Sequence, residues 1–409
     1  MALPRSSAAV PTTTAVPTPG EAVAGTRWIW LAAWPVTAVF VLSNAATPLY
    51  VLWQHRIGFS RGTLTVVFAC YILGLLGTLP IAGIASDRLG RKPVLLPALG
   101  AALVACGLFA TASSVAALMA ARLLTGIAVG AAVSAGMAAV TDVAGPGRRR
   151  LAALLASTAM VFGAGLGPLL SGVLSETGPM WTVFAVEAVL LASAIAVVTR
   201  MPIGRPHDAA GTRWVRIPGV PRRNRRDLVM GIAVFAPGIT ATSFVLSLGP
   251  SLLSGMLGTD NRIVAGATAF VMFSAATGVQ FAVRGLERTT VLAAGAASTL
   301  AGMGALVLAV QLREIVPLVV AAVLAGAGQG LGQLGGLSLM NANVPARRLA
   351  EANAALNVGG YLLAGTLPVA AGYLSDPLGL ATGSTVFAVV LAMLAVLGAA
   401  TVTFHARRR

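Results

Sequence analysis

Two ionisable side chains, Arg122 and Glu187, lie well inside long apolar runs. A charge at that depth in a bilayer costs at least ~2.5 kcal/mol unless water or a partner reaches it, so each is a candidate for moving a proton or meeting a charged substrate, with a satisfied structural role as the plainer alternative. Gly126, Gly130 and Ser134 follow Arg122 at steps of four, so its helix face is otherwise small and suits a cavity wall. A second cluster, GIASDRLGRK at 83–92, packs Asp87, Arg88, Arg91 and Lys92 between two apolar runs, with Gly83 and Gly90 at its ends. So short a connection makes the flanking segments antiparallel neighbours. No catalytic set accompanies these residues. His55, His207 and His405 fall in loops or the tail, Cys70 and Cys106 sit inside apolar runs without ligand spacing, and no phosphate-binding glycine loop follows a strand. The expectation is no enzyme, no cofactor and no metal, with any work driven by an ion gradient.

The elements that must position these residues are membrane helices. With 57% hydrophobic and 10% charged residues, the 409-residue chain has too little polar surface to cover itself in water. From Trp28 onward apolar runs recur twelve times, each near the roughly 20 residues a helix needs to cross the hydrocarbon core. Residues 1–27 read as a disordered tail, 28–199 as one six-helix bundle, 200–227 as a basic linker, 228–403 as a second bundle and 404–409 as a basic tail. The fold class expected is all-α integral membrane, with twelve transmembrane helices in two pseudo-symmetric bundles. Of the 28 basic residues, 23 fall in the tails and on the even-numbered side, four on the other side, and Arg122 lies within a span. The positive-inside rule then predicts a multi-pass protein of the cell membrane with both termini cytoplasmic. The net charge of +16 sits in these gaps rather than in a patch interleaved with aromatics, so anionic lipid head groups, not nucleic acid, are the expected partners of runs such as RRNRR at 222–226. A monomer is expected.

The halves repeat each other. A shift of 200 residues lays AGLGPLLSGVLSE (164–176) on AGTLPVAAGYLSD (364–376), with Glu176 over Asp376, and Gly126, Gly130 and Gly136 on Gly326, Gly330 and Gly336. A shift of 202 lays Pro35 and Pro48 on Pro237 and Pro250. An even number of spans separates the copies, so the repeat is parallel, about an axis along the membrane normal, which lets two bundles rock about a central site. Polar residues at helical spacing mark the cavity wall: Ser43, Asn44, Thr47 and Tyr50 in span 1, Thr240, Ser243, Ser247 and Ser251 in span 7, Gln329 and Gln333 in span 10, and Asn357 and Tyr361 in span 11, with Gly126 on the Arg122 face. They describe a neutral, mildly polar, amphipathic pocket; for each of them interhelical hydrogen bonding is the competing reading.

GIASDRLGRK fits G-x-x-x-D-R-x-G-R-K between spans 2 and 3, and with the span count, basic central loop and repeat it resembles the signature of the major facilitator superfamily. RLLTGIAVG (122–130) is similar to the span 4 motif of proton-linked members, with Thr125 where Gln is usual, and GAGLGPLLSG (163–172) to the span 5 antiporter motif, with Ser171 in place of a glycine. The resemblance points to the twelve-helix drug/proton antiporter group. It implies that Gly83, Asp87, Arg88, Gly90, Arg91 and Lys92 form a conformational gate, with Asp87 latching the helix N-terminus of span 11 near Asn353. It implies an antiport role for Gly163, Gly167, Pro168 and Gly172, and a proton or anionic-substrate role for Arg122. Glu187 is a second coupling candidate, although sixth helices in this family are usually peripheral. Span 1 lacks the acid that many cation exporters of the family carry, which argues against polyamines and strongly cationic drugs. The function expected is export of a small amphipathic molecule in exchange for protons. An importer or symporter of a sugar, organic acid or similar metabolite, and a membrane sensor that does not transport, are the alternatives.

Overall fold

The computed structural model describes residues 25–203, 219–255, 258–345 and 348–406, so most of the expected N-tail and of the basic linker lies outside the described residues. Among the described residues, twelve helices are long and apolar enough to cross a membrane. They are α1 (Thr26–Ile57), α2 (Arg61–Leu89), α3 (Lys92–Ala110), α4 (Val115–Ala144), α5 (Pro146–Thr177), α6 (Trp181–Arg200), α7 (Arg222–Gly255), α8 (Arg262–Ala282), α9 (Arg288–Leu312), α10 (Ile315–Asn343), α11 (Glu351–Leu378) and α12 (Leu380–Phe404). No strand occurs among the described residues. Because the count is even, the two ends of the described chain lie at one end of the bundle; the opposite end is called the far end below.

The helix contacts reproduce the sequence repeat. In the first six, α1 packs on α5 and α6, α2 on α4, and α3 on α4 and α6; in the second six, α7 packs on α11 and α12, α8 on α10, and α9 on α10 and α12. The two sets meet through α5 against α8 and α11 against α2, which are again counterparts. This double joint is what a parallel repeat predicts. α1 and α7 are the most enclosed, with 83% and 78% of their most apolar windows buried.

Small residues set how closely the helices approach, as expected where lipid offers no hydrophobic drive for association. A Cβ on Gly126 would run into the Tyr71 carbonyl, and one on Gly330 or Gly326 into the carbonyls of Ala276 or Met272. The aligned glycines of α4 and α10 therefore serve the same crossing in each half, and Gly126, expected in the cavity lining, makes its contact at the α2–α4 crossing. Two central helices depart from regular α geometry. Around Pro48, α1 narrows to a 3-10 turn at Thr47–Leu49 before resuming as Tyr50–Ile57, and α4 carries a π-helical turn at Ala132–Gly136. Proline removes a backbone donor and so accounts for the first break. Its repeat mate Pro250 sits inside α7, assigned as one unbroken helix over Arg225–Gly255.

Candidate functional site

The charged turn is tighter than the sequence suggested. α2 continues to Leu89, so Asp87 and Arg88 lie in its last turn and only Gly90 and Arg91 separate it from α3. Gly90 has φ +96°, a region that favours glycine, which explains that residue. Arg91 is the hub. Its Nη1 donates to Asp87 Oδ1 at 2.6 Å and to Ser86 Oγ at 2.7 Å, while its Nε donates to Asp142 Oδ2 of α4 at 2.8 Å. Burial alone would lower the Arg91 pKa, but its hydrogen bonds to Asp142 and Asp87 and their negative charge outweigh it and raise the pKa. Lys92 Nζ donates to the Thr199 carbonyl at 2.9 Å, a cation on the C-terminal turn of α6. Arg88 lies between Asp87 and Leu89 in that last turn of α2. A Cβ on Gly83 would touch only Ser134, at 3.8 Å. In this conformation the turn ties α2, α3, α4 and α6 together within the first half, and the described partner of Asp87 is Arg91 rather than the N-terminus of α11.

At the far end, the halves are joined by two carboxylates. Glu176, at the end of α5, accepts from the backbone N–H of Arg262 at 2.7 Å and from its Nε and Nη2 at 3.0 and 3.3 Å. Asp376, near the end of α11, accepts from the backbone N–H groups of Arg61 and Gly62 at 2.9 and 3.2 Å. Each acid thus caps the N-terminus of a helix belonging to the other half, where the helix dipole favours negative charge. The aligned pair Glu176 and Asp376, with arginines opening α2 and α8, was the sequence signal for this clasp; its role did not follow from sequence because nothing local says which helix end each acid will meet.

Of the antiporter-like glycines, Gly172 lies on the α5–α8 joint, while Gly163 and Gly167 face α1 within the first half. A Cβ on Gly163 would approach the Thr37 carbonyl at 2.6 Å, one on Gly167 would run into the Val41 carbonyl, and one on Gly172 would approach the Arg262 carbonyl at 2.5 Å. The Pro168 carbonyl, lacking a neighbour Cβ, faces Gly266 of α8. One face of α5 therefore sits directly on α1 and another directly on α8.

Arg122 is wholly buried in α4. Its Nε donates to the Tyr50 hydroxyl, its Nη1 donates to the Ser43 carbonyl at 2.6 Å, and its Nη2 has no partner. Both partners flank the 3-10 break of α1, where the helical ladder is interrupted. The guanidinium carbon stands 5.1, 5.4 and 5.9 Å from the ring centres of Tyr50, Phe68 and Tyr71. Phe68 and Tyr71 escaped the sequence reading, since aromatic residues in an apolar run carry no signal of what they face. Tyr361 belongs to α11, which packs on the α2 that carries Tyr71, and its ring meets Phe235 edge-on at 6.5 Å.

Glu187 is also buried, 1% exposed, with neither carboxylate oxygen hydrogen-bonded. It stands apart from Arg122, one turn from Phe184, which stacks on Phe109 at 5.2 Å and Trp53 at 6.0 Å. Trp53 Nε1 is likewise unpaired, and the Trp53 ring lies 6.2 Å from that of Tyr50. The short outer piece of α1, Tyr50–Ile57, is therefore in contact with the Arg122 cluster through Tyr50 and with the aromatic stack beside Glu187 through Trp53.

The other cavity candidates divide into satisfied and unsatisfied groups. Asn44 Nδ2 donates to Ser43 Oγ, Ser247 Oγ to the Ser243 carbonyl and Asn357 Nδ2 to the Asn353 carbonyl. Thr47 Oγ1 and Gln329 Oε1 are buried without partners, and Gln333 and Tyr361 are half-buried. Unpaired polar atoms in the central helices α1 and α10 are available to a ligand. No cluster of metal-ligating side chains occurs among the described residues.

The family model of the Major Facilitator Superfamily matches residues 29–310. Multidrug resistance protein MdtL of Shewanella oneidensis is 26% identical over 211 residues, 50% of this chain and 52% of that protein. Human major facilitator superfamily domain-containing protein 10 is 29% identical over 187 residues, 42% of this chain and 41% of that one. The chain thus spans about half the length, or less, of these curated relatives. Among solved structures, the nucleoside transporter NupG superposes with a TM-score of 0.74 at 12% identity, covering 91% of this chain and 99% of that one. The human organic anion transporter MFSD10 gives 0.63 at 19% identity, covering 92% and 99%. With the matching family model, the twelve helices and the double joint between two like halves, this chain belongs to the Major Facilitator Superfamily.

Proposed function

We propose that the chain is a secondary active transporter of the cell membrane that exports a small amphipathic molecule in exchange for protons by alternating access. Its halves, 28–199 and 228–403, tilt against each other about the α5–α8 and α2–α11 joints, and the linker 200–227 and both tails lie in the cytoplasm. The observation that carries this reading is the direct seating of α5 on α8 at Pro168 and Gly172, the surface on which the halves pivot, with Gly163 and Gly167 seating the same helix on α1. With the far end clasped by Glu176 and Asp376, the conformation described here is closed on the outer side.

Within this reading Glu187 carries the proton, and the outer piece of α1 relays its state through Trp53 and Tyr50 to Arg122. The turn at 83–92 acts as the inner gate: when the inner side closes, Asp87 leaves Arg91 for the N-terminus of α11. Lys92 and the linker arginines hold anionic lipid head groups, and the working unit is a monomer. The names of the relatives, which span multidrug resistance, nucleosides and organic anions, support a transporter without choosing among substrates.

The test is reconstitution of the full chain in vesicles with an imposed pH gradient and an internal pH dye, against a panel of candidate molecules. Antiport moves protons opposite to substrate. Movement of both in the same direction would make it a symporter, and a panel that moves neither would make it a sensor.

A further inference from the structure

Arg122 is a buried cation without a counter-charge. Of its three nitrogens, one meets a neutral phenol, one a carbonyl and one nothing. No carboxylate of the described residues pairs with it; Glu187, the other ionisable group deep in the first half, has both oxygens free and stands in a separate aromatic stack. A buried charge with an unfilled hydrogen-bond position is costly, and the cost is relieved by whatever anion reaches it. The guanidinium is fixed from behind by the α1 break, so its free Nη2 is held in place rather than left to fold away.

Around this charge stand flat rings. Phe68 and Tyr71 line the guanidinium, and Tyr361, on the helix packed against that of Tyr71, meets Phe235. Tyr71 and Tyr361 are half-buried whereas Arg122 is fully enclosed. They belong to α2 and α11, the pair that forms one of the two joints between the halves. A molecule lying there would touch both halves at once, as a substrate that drives their tilt must.

Resting on the transporter reading above, we infer that the exported molecule is an aromatic organic anion, its negative group taken by Nη2 of Arg122 and its ring by Tyr71, Tyr361 and Phe235. A neutral analogue leaves the buried charge unanswered, and a cation is repelled by it.

Binding to the purified full chain in detergent at pH 7.5, with no gradient, tests this. The probes are benzoate, 2-naphthoate and 2-naphthalenesulfonate, each against its neutral amide, with 2-naphthylmethylamine as the cation, read by the ligand concentration that half-saturates the thermal shift. At least one anion is expected to bind about tenfold or more tighter than its amide, since a charge-assisted hydrogen bond is at stake, and the amine is expected not to bind. Arg122→Gln should erase the preference and Arg122→Lys should keep part of it. Tyr71→Ala, which retains the guanidinium, should weaken 2-naphthoate about tenfold. The inference is overturned if no anion outbinds its amide, if the preference survives in a folded Arg122→Gln protein, or, should that variant not fold, if Tyr71→Ala binds 2-naphthoate unchanged. Failure of antiport is separable: anion binding without substrate-driven proton movement would sink the exchange reading alone, and proton movement driven by a cation would sink this inference alone.

Discussion

The far-end clasp is open to a quantitative test. Replacing Glu176 by Gln and Asp376 by Asn keeps size and shape but removes both charges and sets an NH2 group against backbone donors. A carboxylate at a helix N-terminus contributes about 0.3–1 kcal/mol when exposed and ~2 kcal/mol when partly buried. The Glu176 side chain is 29% exposed and that of its partner Arg262 25%, which places this contact between the two limits after solvent screening. Taking about 1 kcal/mol for Glu176 and about 0.5 kcal/mol for the exposed Asp376 gives about a fivefold and about a twofold loss of the closed form, and about tenfold for the pair, because the two sites are distant and act on one rigid-body tilt. The reporter is Leu253→Cys, in a background with Cys70 and Cys106 replaced. Leu253 is 3% exposed and faces Pro48 and Leu52 of the other half across a far-end gap, so a membrane-impermeant maleimide labels it only when that end opens. Labelling should accelerate about fivefold in Glu176→Gln, about twofold in Asp376→Asn and about tenfold in the double. Equal rates in all four proteins would refute the clasp, and acceleration by one substitution only would refute its symmetry.

Three further outcomes follow from the same geometry. Gly172→Leu, whose side chain meets the Arg262 carbonyl at the start of α8, should abolish substrate movement in vesicles while the protein still reaches the membrane, and normal transport would remove α5 from the pivot. Arg91→Ala strips Asp87, Ser86 and Asp142 of a shared partner and should destabilise the protein by about 1–2 kcal/mol, read as a lower unfolding midpoint; the acids are accessible enough to rehydrate, which caps the loss. Glu187→Gln leaves the aromatic stack in place and should preserve folding and substrate binding while substrate-driven proton flux falls to background; retained flux would move the proton site elsewhere.

The span count, the parallel repeat and the family were legible in the sequence for a physical reason. A bilayer demands about 20 apolar residues per crossing with every backbone group satisfied internally, so helices announce themselves along the chain, and duplicated halves keep glycines and prolines in register. The glycine positions 163, 167 and 172 were also readable, because only a missing Cβ permits the approach they make. Partnership was not. Asp87 sits one turn from Arg91 in sequence and near the start of α11 by topology, and the structure gives it to Arg91. The capping of α2 and α8 by Asp376 and Glu176, and the gathering of Tyr50, Phe68 and Tyr71 about Arg122, join residues tens to hundreds of positions apart. Those contacts depend on how rigid helices rotate and cross, which no local pattern encodes; the chain specified the rods, and their packing chose which charges meet and which one is left waiting.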